Sequence, residues 1–154
     1  MQLTDLLSED RIACHADAHS KKRALETLSQ LLASDQEYAT ASDIFDSLLS
    51  RERLGSTGIG HGVAIPHGRV KNTQHASGAF IQLNEGVDFD AIDTAPVDLL
   101  FALLVPEEST DEHLEILSEL ASLFSEPDFR ERLRHADSRE KIYALIKERQ
   151  QTHA

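Results

Sequence analysis

Between Ser20 and Asp35 the chain reads SKKRALETLSQLLASD, which sets Ala24, Leu25, Leu28, Leu31 and Leu32 along one face of a helix. Ser20 stands where a cap is expected. The segment SDIFDSLLSRERLG repeats the pattern with Ile44, Phe45, Leu48 and Leu49, and Gly55 reads as its stop. After Gly55 the rhythm changes. GVAIP (62–66) predicts a short strand and ASGAFIQL (76–83) another, while NEGVDF reads as a turn leading into extended chain. APVDLLFALLVP is apolar almost throughout between Pro96 and Pro106, the mark of a strand buried on both faces. Helical spacing then returns in STDEHLEILSELASLFS, with Leu114, Leu117, Leu120 and Phe124 on the buried side and Ser109 or Thr110 as cap. Pro127 opens a short helix, PDFRERLRH. The last helix, DSREKIYALIKERQ, turns Ile142, Leu145 and Ile146 to the core, with Asp137 and Glu140 at capping-box spacing. Helices before and after a buried sheet predict an α/β sandwich.

A chain of 154 residues supports one well-filled core and is short for two. Its net charge of −12 argues against a nucleic-acid partner and for plain solubility or a partner with a basic face. The longest apolar run, Leu99–Val105, is far below the roughly 20 residues a membrane helix needs, so no membrane insertion is expected. The N-terminal MQLTDLLSEDR lacks a basic region followed by an apolar stretch, and the lone Cys14 permits no internal disulfide. The expected localisation is cytoplasmic.

All seven glycines lie between Gly55 and Gly86, and the densest stretch is GIGHGVAIPHG. It is not a dinucleotide fingerprint, which needs a strand before it and a helix after it, and no P-loop G-K-[ST] occurs. No H-E-x-x-H or second cysteine supports a zinc site, although His61, His67 and His75 lie near one another. The G-x-S-x-G of a serine hydrolase is also missing. Histidine itself remains as a nucleophile. His67 follows Pro66, which restricts the backbone, and precedes Gly68, which widens its dihedral range; it is expected just past the strand VAI. His113 is expected in the first turn of the helix after the long strand. If the two strands run parallel, both histidines reach one edge, and a helix N-terminus there suits an anion. Arg51, shortly before the glycine loop, can offer a forked donor to phosphate oxygens. An imidazole of ordinary pKa, about 6.5, is largely free base near neutral pH, and a phosphoryl group on its nitrogen stays transferable. His61, His15, His19, His75, His135 and His153 read as incidental histidines.

GSTGIGHGVAIPHGR, FDAIDTAPVDLLFALLVP and DEHLEILSELASLF, in this order, resemble the enzyme IIA domain of the fructose/mannitol class of the phosphoenolpyruvate phosphotransferase system. Within that class they look most like its nitrogen-regulatory branch. The resemblance covers one domain, residues 5–149. It implies a mixed, largely buried sheet of about five strands flanked by helices on both faces. By the same resemblance His67, in A-[IV]-P-H-G, carries the phosphoryl group, while His113 and Arg51 support it. It implies a donor of the HPr type, itself phosphorylated at histidine, and no cofactor or metal. One departure is His61, where regulatory members often have Asn; no role is assigned to it. Two functions fit the resemblance. One is a regulatory phosphocarrier whose phosphorylation changes its binding to target proteins, such as potassium-transport or sensor-kinase components. The other is a sugar-transport enzyme IIA that hands the group to a IIB domain.

Overall fold

The computed structural model describes residues 3–37, 39–71, 73, 75–108 and 111–153. In chain order the elements are α1 (Leu3–Leu6), a 3-10 turn (Glu9–Arg11), β1 (Ile12–Ala16), α2 (Lys21–Ala33) and α3 (Ala41–Glu52). Then come β2 (Gly58–Gly60), β3 (Val63–Ala64), β4 (His67–Val70), β5 (Ser77–Val87) and β6 (Val97–Pro106). The chain ends with α4 (Asp111–Phe124), α5 (Pro127–His135) and α6 (Arg139–His153).

The sheet order is β1-β5-β6-β3-β2, with β4 also beside β6. β5 and β6 form the antiparallel centre, β1 runs parallel to β5, and β2 is antiparallel to β3. β3 and β4 follow one another along the same edge of β6, both parallel to it: Val63 and Ala64 lie opposite Leu99 and Leu100, and His67 lies opposite Leu103. Six strands thus occupy five positions in a mixed sheet, as the resemblance implies.

The two-residue period of β6 sorts its side chains into two cores. Leu99, Phe101, Leu103 and Val105 pack with α1, α4, α5 and α6 on one face. Leu100, Ala102 and Leu104 pack with α2 and α3 on the other. This explains the unbroken apolar run: every side of β6 meets a helix layer. Several sequence signals act as read. The Ser20 Oγ accepts the Arg23 N–H at 3.1 Å, the Gly55 N–H bonds the Glu52 carbonyl at 3.1 Å, and Pro127 stands in the first turn of α5.

Other expectations are corrected. NEGVDF is no turn; β5 runs through it to Val87, which pairs with Val97 after a register shift, and the Asn84 amide donates to the His15 carbonyl at 3.0 Å. Pairing with β6 and the side-chain bond from Asn84 override a turn-like composition. His67 does lie just past a strand, β3, but it also opens another, β4, because pairing with β6 resumes there after the interruption at Ile65–Pro66. Leu114 is 60% exposed, and Ile116, Leu120, Leu123 and Phe124 form the buried side of α4, with His113 also turned inward. At α6 the cap is Ser138, whose Oγ accepts the Lys141 N–H at 3.1 Å; Asp137 instead pairs with the Lys141 ammonium at 2.9 Å. The cap expected at Ser109 or Thr110 lies outside the described residues.

Candidate functional site

Pro66 and Gly68 place His67 for reasons of hydrogen bonding and space. The Pro66 carbonyl accepts the Leu103 N–H at 2.9 Å, which ties the chain to β6 just before the histidine. Gly68 has an ordinary negative φ, so the wider dihedral range expected of it is not used. Its missing side chain matters instead: a Cβ there would lie 2.5 Å from the Ser47 Oγ and 3.2 Å from the Ser47 backbone carbon. Ser47 of α3 grips β4 at this point, donating to the Arg69 carbonyl at 2.7 Å and accepting the Arg69 N–H at 2.9 Å. The C-terminal half of α3, with Arg51, is thereby held beside His67.

The His67 ring is half-buried, and its Nδ1 lies 3.0 Å from the Ile65 carbonyl oxygen. A carbonyl only accepts, so Nδ1 carries the proton and Nε2 keeps its lone pair. The ring of His113, in the first turn of α4, has its centroid 6.2 Å from that of His67 at a 40° tilt, and it is 8% exposed. Arg51 donates from Nη1 to the Gly55 carbonyl at 2.9 Å, which orients its fork at the mouth of the glycine loop. Burial lowers the His67 pKa below the ordinary imidazole value. The Ile65 hydrogen bond opposes this, the charges of Arg51 and His113 add to it, and the carboxylate of Glu52 opposes it. The net shift is downward, so the imidazole is neutral and nucleophilic at neutral pH. His67 and His113 therefore lie together, as the parallel-strand argument expects, with Arg51 close enough for its charge to act on His67.

The glycine loop is a tight hairpin between the antiparallel strands β2 and β3. Gly60, His61 and Gly62 all have positive φ, at 96°, 58° and 79°. His61 is exposed and acts through its backbone: its N–H donates to Asp93 Oδ2 at 2.8 Å and its carbonyl accepts from Arg134. The N–H groups of His61 and Ala95 hold the Asp93 carboxyl below its usual pKa. Arg134 is fixed in turn by Asp98, at 3.0 Å from Nε to Oδ2. His75 lies 3.2 Å from Asp35, and His135 hydrogen bonds the Glu131 carbonyl on its own helix, both away from His67. Among the described residues no group of three or more His, Cys, Asp or Glu side chains is placed to hold a metal ion. Among them, too, no helix is long and apolar enough to cross a membrane.

Sequence reasoning missed Glu52, which is buried at the C-terminal end of α3 beside the site. An acid closing a helix, against the macrodipole, was the available signal.

Residues 5–149 match the family described as phosphoenolpyruvate-dependent sugar phosphotransferase system, EIIA 2. The chain belongs to this family. Among similar proteins, the nitrogen regulatory protein of Pseudomonas aeruginosa is 44% identical over 146 residues, covering 95% of each chain. That of Escherichia coli K12 is 45% identical over 147 residues, 95% of this chain and 90% of the relative. The crystal structure of nitrogen regulatory protein IIA-Ntr from Neisseria meningitidis superposes with a TM-score of 0.87 at 46% identity, covering 92% of this chain and 97% of that one. This EIIA chain is thus similar, over nearly its full length, to the nitrogen-regulatory members.

Proposed function

We propose that residues 5–149 act as a single EIIA domain, a nitrogen-regulatory phosphocarrier in which His67 Nε2 accepts a phosphoryl group. The observation that carries this reading is the Nδ1 contact to the Ile65 carbonyl, 3.0 Å, which leaves Nε2 unprotonated beside His113 and Arg51. The donor is an HPr-type phosphohistidine protein. Nε2 attacks the phosphorus as the bond to the donor's imidazole nitrogen breaks, and the donor imidazole leaves with that electron pair. His67, now bonded at both nitrogens, carries positive charge that the Ile65 carbonyl stabilises through the retained Nδ1 proton. Arg51 and His113 face the equatorial oxygens, whose charge they balance in the loose transition state. No other covalent step is needed, so the protein's work is positioning and electrostatics.

Phosphorylation adds about two negative charges at neutral pH, enough to change which surfaces this face accepts. Regulatory targets, such as potassium-transport or sensor-kinase components, are the readout, and the exchange takes place in the cytoplasm.

The test is transfer of labelled phosphate from phosphoenolpyruvate through enzyme I and an HPr-type carrier. Wild type should gain acid-labile, base-stable label, and His67→Ala should gain none. The labelled protein, offered a IIB domain, should keep its label; rapid loss to IIB would point to sugar transport instead.

A further inference from the structure

Glu52 occupies a costly place. Its side chain is 2% exposed, and it closes α3, where the helix macrodipole disfavours an anion. Three donors offset that cost. Lys21 of α2 brings its ammonium to 2.9 Å of Oε2 and lies over the Phe89 ring, 4.5 Å from its centroid. The Thr57 N–H lies 3.2 Å from each carboxylate oxygen, and the Thr57 hydroxyl bonds Oε1. From Thr57 the connection continues toward the histidine. The Thr57 carbonyl accepts the Ile65 N–H at 3.0 Å, and the Ile65 carbonyl accepts the His67 Nδ1 proton at 3.0 Å. The Ile65 residue is therefore held at its N–H by Thr57 while its carbonyl holds the imidazole.

We propose that Glu52 is a positioning residue for phosphoryl transfer: through Thr57 and Ile65 it fixes the His67 ring in the Nδ1–H tautomer, with Nε2 free for the phosphoryl group. The carboxylate does not touch the reacting atoms. It anchors the residue that anchors Ile65, and the Lys21 ammonium holds it in place. Its charge also reaches the imidazole and partly counters the effect of burial. The value of this anchoring to transfer rests on the phosphocarrier reading above, whereas the tautomer does not.

The experiment reads the tautomer first. Long-range proton–nitrogen correlation spectra of 15N-labelled protein distinguish Nδ1–H from Nε2–H imidazole. Wild-type His67 should show a single Nδ1–H species. Glu52→Gln removes the charge and one acceptor, and should give a mixture with part of the proton on Nε2. Its phosphoryl uptake at saturating donor should fall by about ten- to hundredfold, with the donor KM unchanged. Amide spectra of β5 and α6 should stay as in wild type. A folded Glu52→Gln protein with a wild-type tautomer spectrum would overturn the proposal. Should that variant fail to fold, Thr57→Val decides by the same spectrum: a mixture supports the proposal and a single Nδ1–H species overturns it. The tautomer is read without donor, so loss of the phosphocarrier reading shows separately, as wild-type protein that takes up no label.

Discussion

At the scale of single residues, protonation of His67 sets part of the acid stability and, on the proposed function, its reactivity. The folded protein lowers its pKa, chiefly by burial, whereas the unfolded chain keeps the ordinary value near 6.5. As pH falls through 6.5, the unfolded chain binds a proton that the folded protein still refuses. Stability contributed by this group is therefore full above 6.5 and declines as pH drops toward the lowered folded value. Urea unfolding across a pH series should show this decline, and His67→Gln should flatten that part of the slope. The same shift should place the acid limb of phosphoryl uptake below pH 6.5, since Nε2 stays unprotonated there. An acid limb at or above 6.5 would contradict the burial argument. His67 and Arg51 were legible as residues because a histidine between Pro66 and Gly68, and an arginine shortly before a glycine loop, are unusual locally. Glu52 was passed over, because an acid closing a helix is only a weak local signal and its ion-pair partner Lys21 lies on another helix.

At the scale of elements, the contact of α3 with β4 sets the site's dimensions. Gly68→Ala would force a methyl group against Ser47, whose Oγ and backbone leave no room. The expected cost is about 1–3 kcal/mol from overpacking, read as a lowered midpoint in thermal unfolding. Because the displacement falls between Arg51 and His67, uptake of label should slow in the folded variant as well. An alanine variant with wild-type stability would mean that α3 moves freely, contrary to the paired Ser47–Arg69 bonds. The helices α2 and α3 and the strand β6 were readable because each buries a long stripe whose period survives in the sequence. β1, β2 and β4 were not. They are short, and β2 and β4 carry glycine or polar residues, so no alternation marks them. They are strands because β5, β6 and β3 supply ladders to pair with.

At the scale of the molecule, the net charge of −12 decides how partners approach. Glu85, Asp88, Asp90 and Asp93 are exposed on and after β5, and Asp93 anchors the glycine hairpin that leads into the site. A basic donor should be steered in by this field. The second-order rate of uptake should therefore fall by about tenfold between low and high salt, as for other steered associations. The first-order rate at saturating donor should change little. A salt-independent second-order rate would remove charge as the recruiting term.

The amphipathic helices, the doubly buried strand and the residue types of the site follow from the chain alone, because local periodicity and steric preference act over a few neighbours. The resemblance carried by its three blocks added the expected sheet of about five strands and the role proposed for His67. Tertiary structure decided where β4 begins, that α4 turns His113 rather than Leu114 inward, and which nitrogen of His67 is free. The first two depend on atoms far apart in sequence; the third rests on the Ile65 carbonyl, two residues from His67, in a chain tied to β6 at Pro66. The ladder to β6, the packing of α4 on the sheet and the path from Glu52 through Thr57 to Ile65 exist only once the layers have assembled.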